Sequence, residues 1–70
     1  MTTAMFRLNG KSEPLTVATI AGLISSLGLA DRQRGLAVAL NGELVARADW
    51  PLTRLVEGDD VEVVTALQGG

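Results

Sequence analysis

The apolar residues of this chain follow two periods, and the change between them marks out the elements. In Met5-Phe6-Arg7-Leu8 the pattern alternates, with Phe6 and Leu8 on one face and Arg7 on the other, which predicts a half-buried strand. Asn9-Gly10 follows and predicts a type I′ hairpin turn, since both residue types tolerate positive φ. The returning strand runs from Lys11 to Leu15, at a sheet edge, because Pro14 cannot donate to a ladder. The period then lengthens. Ile20, Leu23, Ile24 and Leu27 recur at i, i+3, i+4 and i+7, which is the stripe of an amphipathic helix with Ser25 and Ser26 turned to water. Thr16 reads as its N-cap, without a full capping box because Thr19 occupies the glutamate position. Gly28 is placed to end the helix, with Leu29 supplying the hydrophobic contact of a glycine C-cap. Gly22 within the helix costs about 1 kcal/mol against alanine, which suggests a close-packing role.

The second half returns to strand patterns. Leu36-Ala37-Val38-Ala39-Leu40 is an unbroken apolar run, predicting a central strand buried on both faces, with the small Ala37 and Ala39 leaving one face shallow. Asn41-Gly42 predicts a second hairpin, with Glu43 to Ala46 returning. Arg47 to Pro51 breaks the alternation; Asp49 is expected to cap a short turn and Trp50 to fold over the core edge. Leu52 and Leu55 are expected in the core, and Gly58 at a positive-φ turn between Glu57 and Asp59. Asp60 to Thr65 is the last strand, with Val61, Val63 and Thr65 on one face and Glu62 and Val64 on the other.

Strand, strand, helix, strand, strand, turn and strand describe an α+β fold, a mixed sheet of four to five strands packed on one helix. This is the β-grasp (ubiquitin-like) arrangement. It puts the hairpins at the edges and the last strand inside the sheet, giving a domain over residues 1–65 and a flexible C-terminal tail over 66–70. The surface opposite the helix, including Ala37, Ala39 and Val64, is then the expected docking surface.

Composition narrows the chemistry. The 70 residues suffice for one small domain, and a hydrophobic content of 47% is ample for its core. With no Cys there is no disulfide, thiolate metal site or side-chain thiol nucleophile, and with no His the usual neutral-pH base is missing. A net charge of −2 and two aromatics oppose nucleic-acid binding. No run reaches the length of a membrane span or signal peptide, so the expected compartment is cytoplasmic and no membrane partner is expected. Glu57, Asp59, Asp60 and Glu62 lack the spacing of a calcium loop and read as an acidic surface, either for a basic partner or for solubility. Arg32, Arg34 and Arg47 read as solvated charges rather than a partner patch. No metal site and no catalytic residue of its own is expected.

What remains is the end of the sequence, Gln68-Gly69-Gly70. Two glycines there arise by chance about once in two hundred chains. A backbone without side chains can thread a narrow site and present the Gly70 carboxylate, with Gly69 free to adopt whatever φ and ψ that site demands.

Several stretches together resemble the ThiS family of sulfur carriers. They are Thr16-Val17-Ala18, Leu27-Gly28-Leu29, Val38-Ala39-Leu40-Asn41-Gly42-Glu43, Arg47 with Trp50, Gly58-Asp59, and above all residues 61–70. The resemblance implies a non-enzymatic carrier for the sulfur of the thiamine thiazole ring. It implies that an E1-like, ThiF-like adenylyltransferase activates the Gly70 carboxylate with ATP and Mg²⁺, and that a persulfide donor converts it to a thiocarboxylate. A ThiG-like thiazole synthase would receive the sulfur, and the carrier itself would hold no cofactor. Gly69 and Gln68 are implied as access residues. The alternatives are a molybdopterin-synthase type of carrier, which tends to have prolines where Thr65-Ala66-Leu67-Gln68 stands, a ubiquitin-like modifier, and a non-reacting β-grasp binding module.

Overall fold

Two asparagine–glycine pairs set the hairpins. The computed structural model describes residues 3–65, and of residues 32–34 the backbone only. Asn9 and Asn41 both adopt φ of 52°, followed by Gly10 at 81° and Gly42 at 86°. These left-handed pairs close β1 (Met5–Leu8) onto β2 (Lys11–Pro14), and β3 (Leu36–Leu40) onto β4 (Glu43–Val45), as antiparallel neighbours. β5 (Asp60–Thr65) lies between the hairpins, parallel to β1 and antiparallel to β3, giving the order β2-β1-β5-β3-β4. Pro14 therefore stands on an edge strand, as its missing N–H requires.

The helix α1 (Ile20–Ser26) starts later than the sequence suggests. Its N-cap is Thr19, not Thr16: Thr19 is extended at φ −136° and ψ 167°, and its hydroxyl accepts from the Gly22 N–H at 3.1 Å. Tertiary pairing decides the boundary. The Ala18 carbonyl accepts from Leu55 N–H and the Ile20 N–H donates to Thr53, each at 3.0 Å, so residues 18–20 are held alongside 53–55 in a bridge. A helix beginning at residue 17 would have to give up that bridge. The C-terminus behaves as its glycine predicts. Gly28, at φ 74°, donates to Ser25, and Leu29 donates to Ile24, which is the paired bonding of a Schellman motif. Gly22 does not serve close packing, since a Cβ there would meet Val17 at an ordinary 3.4 Å.

One face of the sheet and the helix stripe form the core. Phe6, Ile20, Leu23, Ile24, Val38, Trp50, Leu55 and Val61 are buried, while Leu27, at the end of the stripe, is only part-covered. Contrary to the two-sided burial expected of β3, Val38 is wholly enclosed but Ala37 is exposed. The unbroken apolar run reflects small residues on an uncovered face. Short 3₁₀ helices over Ala30–Gly35 and Arg47–Leu52 make the crossovers. Trp50 buries its ring and donates its indole N–H to the Val45 carbonyl at 3.0 Å, so it packs rather than presents itself. Asp49 does not cap that turn with its side chain; its carbonyl instead accepts from the Thr53 hydroxyl at 2.7 Å. Leu52 is not core. It is 78% exposed, on the outer side of the turn that carries Trp50 inward, while Leu55 is buried.

Candidate functional site

The uncovered face of the sheet is fixed by strand alternation and register. Ala37 stands opposite Val64, and Ala39 stands opposite Glu62 on one side and Leu44 on the other. Partners opposite one another share a face, so Ala37, Ala39, Leu44 and Val64 form one apolar surface. Val64 is 58% exposed and Leu44 77%. The structure thus brings together the three residues singled out from the sequence. It adds Leu44, which the sequence offered only as one position of the returning strand Glu43 to Ala46. Exposed Arg7, Asp60 and Glu62 border this surface, so an apolar centre meets a charged margin.

The acidic run divides. Glu57, Asp60 and Glu62 are exposed, but Asp59 is 9% exposed and both its carboxylate oxygens are engaged. Oδ2 accepts from the Val56 N–H at 2.9 Å, and Oδ1 accepts from the Asn41 amide at 3.1 Å. Asp59 therefore braces the turn before β5 and does not belong to an acidic surface. Among the described residues no cluster of acidic side chains is arranged to hold a metal.

β5 is gripped from both sides by the hairpin asparagines, a role the sequence did not reveal beyond their turn chemistry. Asn41 donates its backbone N–H to the Asp60 carbonyl at 2.7 Å, and its side-chain oxygen accepts from the Asp60 N–H at 2.9 Å. Asn9 does the equivalent further along, its amide oxygen accepting from Val63 N–H at 2.9 Å and its amide nitrogen donating to the Val63 carbonyl at 3.3 Å. The strand that leads toward the end of the chain is therefore braced by side chains on both flanks. Gln68, Gly69 and Gly70 lie outside the described residues.

Two concavities stand out among the described residues, and neither gathers several charged groups: the wider, lined by Ala21, Arg47, Ala48, Trp50 and Pro51, holds about 490 Å³ with Arg47 its one charged residue. The groove between the first hairpin and α1, lined by Phe6, Pro14, Val17, Leu23 and Leu27, holds about 220 Å³, with Glu13 its one titratable lining residue. Drug-sized ligands are usually enclosed by roughly 300 Å³ or more, with several convergent polar groups. Among the described residues, no helix is long and apolar enough to cross a membrane.

Five strands in this order around one helix, with the last strand central, define a β-grasp protein. Within that class the chain belongs to the ThiS family, whose model matches residues 4–70. It is 38% identical over 66 residues to the sulfur carrier protein ThiS of Thermus thermophilus, covering 94% of this chain and 100% of that protein. It also superposes on the crystal structure of the thiamine biosynthesis protein ThiS from Geobacter metallireducens with a TM-score of 0.78. That pair shares 30% identity, over 94% of this chain and 99% of the other.

Proposed function

We propose that this chain carries sulfur for the thiazole ring of thiamine on the carboxyl group of Gly70 and catalyses nothing itself. One observation carries the reading: the family match runs through Gly70, and the chain covers the whole of a sulfur carrier relative. The residue chemistry is consistent with it. A carboxylate is a poor electrophile, and converting it to a mixed anhydride makes the carboxyl carbon open to attack.

The Gly70 carboxylate attacks the α-phosphate of ATP on a ThiF-like adenylyltransferase, which supplies the Mg²⁺, and pyrophosphate leaves. A persulfide sulfur then attacks the acyl carbon and AMP departs, leaving an acyl disulfide. A second thiol cleaves the sulfur–sulfur bond, releasing the thiocarboxylate and a new disulfide. The thiocarboxylate passes its sulfur to a ThiG-like thiazole synthase. Residues 1–65 serve as the docking domain and residues 66–70 as the tail that enters the partner, with Gly69 and Gln68 in its access path. Ala37, Ala39, Leu44 and Val64 are the surface on which the partners sit, and the compartment is the cytoplasm.

The tail mechanism is tested by ATP–pyrophosphate exchange with the activating enzyme. Wild type supports exchange, while Gly69→Ala folds normally and lowers its rate on the order of tenfold or more, because a Cβ enters a passage sized for backbone. Equal rates for the two proteins would reject the tail mechanism.

A further inference from the structure

We propose that Asn9 is a positioning residue for the C-terminal tail, its side-chain amide standing in for a missing rung of the sheet. On the β1 side of β5, the Arg7 N–H donates to the Asp59 carbonyl at 2.8 Å, and the Asn9 N–H donates to the Val61 carbonyl at 2.9 Å. The next rung falls at Val63. There the main chain has already turned away through Gly10, at φ 81°, into β2. The Asn9 side chain fills the place of the absent peptide, accepting from Val63 N–H at 2.9 Å and donating to its carbonyl at 3.3 Å. A carboxamide is the side-chain group that reproduces both halves of a peptide unit, and asparagine is also short enough and tolerant enough of left-handed φ to remain in the turn.

The consequence is directional. On its other side β5 is paired with β3 up to Leu36↔Thr65. Without the Asn9 side chain, the β1 side would be unsupported beyond Val61, and β5 would be held there by one neighbour only. With it, the strand is held from both sides to within two residues of Thr65, the base from which residues 66–70 depart. A carrier whose reacting carbon lies five residues past Thr65 gains from a fixed launching direction, since small misplacements of a reacting group are costly in rate. This inference rests on the carrier chemistry proposed at Gly70.

The protein supplies a matched control. Asn41 has the same φ and also bonds to β5 through its side chain, but at Asp60, the far end of the strand. Asn9→Gly and Asn41→Gly each keep the left-handed turn and each remove two side-chain hydrogen bonds, so both lower thermal stability. Only Asn9→Gly is expected to lower kcat for adenylation, on the order of tenfold, with KM for the activating enzyme within about twofold of wild type. Asn9→Asp keeps the acceptor for Val63 N–H and loses the donor, and its kcat should fall between the two. Amide exchange gives a readout independent of the partner: Asn9→Gly should speed exchange at Val63 far more than Asn41→Gly does. If Asn9→Gly and Asn41→Gly lower kcat equally, or if Val63 stays protected in Asn9→Gly, the positioning role is overturned while the carrier reading stands. If wild type is not adenylated at all by a competent enzyme, the carrier reading falls and this inference with it.

Discussion

Thr19 and Gly22 form the first turn of α1 between them, one accepting and the other donating the 3.1 Å capping bond. Replacing each by alanine should change stability in opposite directions. Thr19→Ala removes the cap and should cost about 1 kcal/mol. Gly22→Ala keeps the donor, meets Val17 at ordinary contact distance, and should stabilise the fold by up to about 1 kcal/mol. Urea denaturation of the two variants checks both signs, and a destabilised Gly22→Ala would show that the space around Val17 is tighter than 3.4 Å implies. At this scale the sequence is partly legible. Gly28 announces its C-cap because positive φ is a local demand. Thr16 and Thr19 are equally good caps locally, and what separates them is the pairing of residues 18–20 with 53–55, far away in the chain. The one available cue was that Thr19 immediately precedes the first stripe residue, Ile20. Asp59 shows the same limit. Nothing in a run of four carboxylates marks the one that turns inward to Val56 and Asn41.

Among elements, the strands and hairpins follow from alternation and turn chemistry, which act within a few residues. The segment from Arg47 to Leu55 was less readable, because its 3₁₀ turn has no apolar period of its own. Trp50 goes inward where its indole N–H meets the Val45 carbonyl, and this orientation leaves Leu52 outside and returns Leu55 to the core. The two leucines therefore separate cleanly in energy. Leu55→Ala should cost about 2–5 kcal/mol, as large-to-small changes in a core do. Leu52→Ala should stay within about 0.5 kcal/mol of wild type. Thermal melts of the pair suffice, and comparable losses would contradict the placement of the turn. β3 gave a related difficulty: an all-apolar strand reads as buried on both sides, and only sheet order reveals that Ala37 faces outward.

For the whole molecule, one face of the sheet packs into the core and the other is open, and the proposed function assigns that open face to partners. Leu44 contributes to the second and almost nothing to the first, being 77% exposed on an edge strand. Leu44→Ser should accordingly leave the melting temperature nearly unchanged. It should weaken binding to the activating enzyme on the order of tenfold, about 1.4 kcal/mol. Unchanged affinity by titration calorimetry would move the docking surface elsewhere. The open face and the central place of the last strand were legible as soon as the topology was, because the register that packs Val38 with Val61 and Val63 into the core turns Ala37, Ala39 and Val64 to the other face. The bracing by Asn9 and Asn41 was not legible, since it depends on where two turns fall beside a strand more than fifty and nearly twenty residues away, respectively.

The central claim concerns one carbon atom, the carboxyl carbon of Gly70. Intact mass spectrometry addresses it directly, after incubation of the full chain with its activating enzyme, ATP and a persulfide sulfur donor with thiol. The expected result is a mass increase equal to replacing one oxygen by sulfur, localised to the C-terminal peptide and absent when ATP is withheld. An unchanged mass, in a mixture that converts another ThiS protein, would contradict the claim.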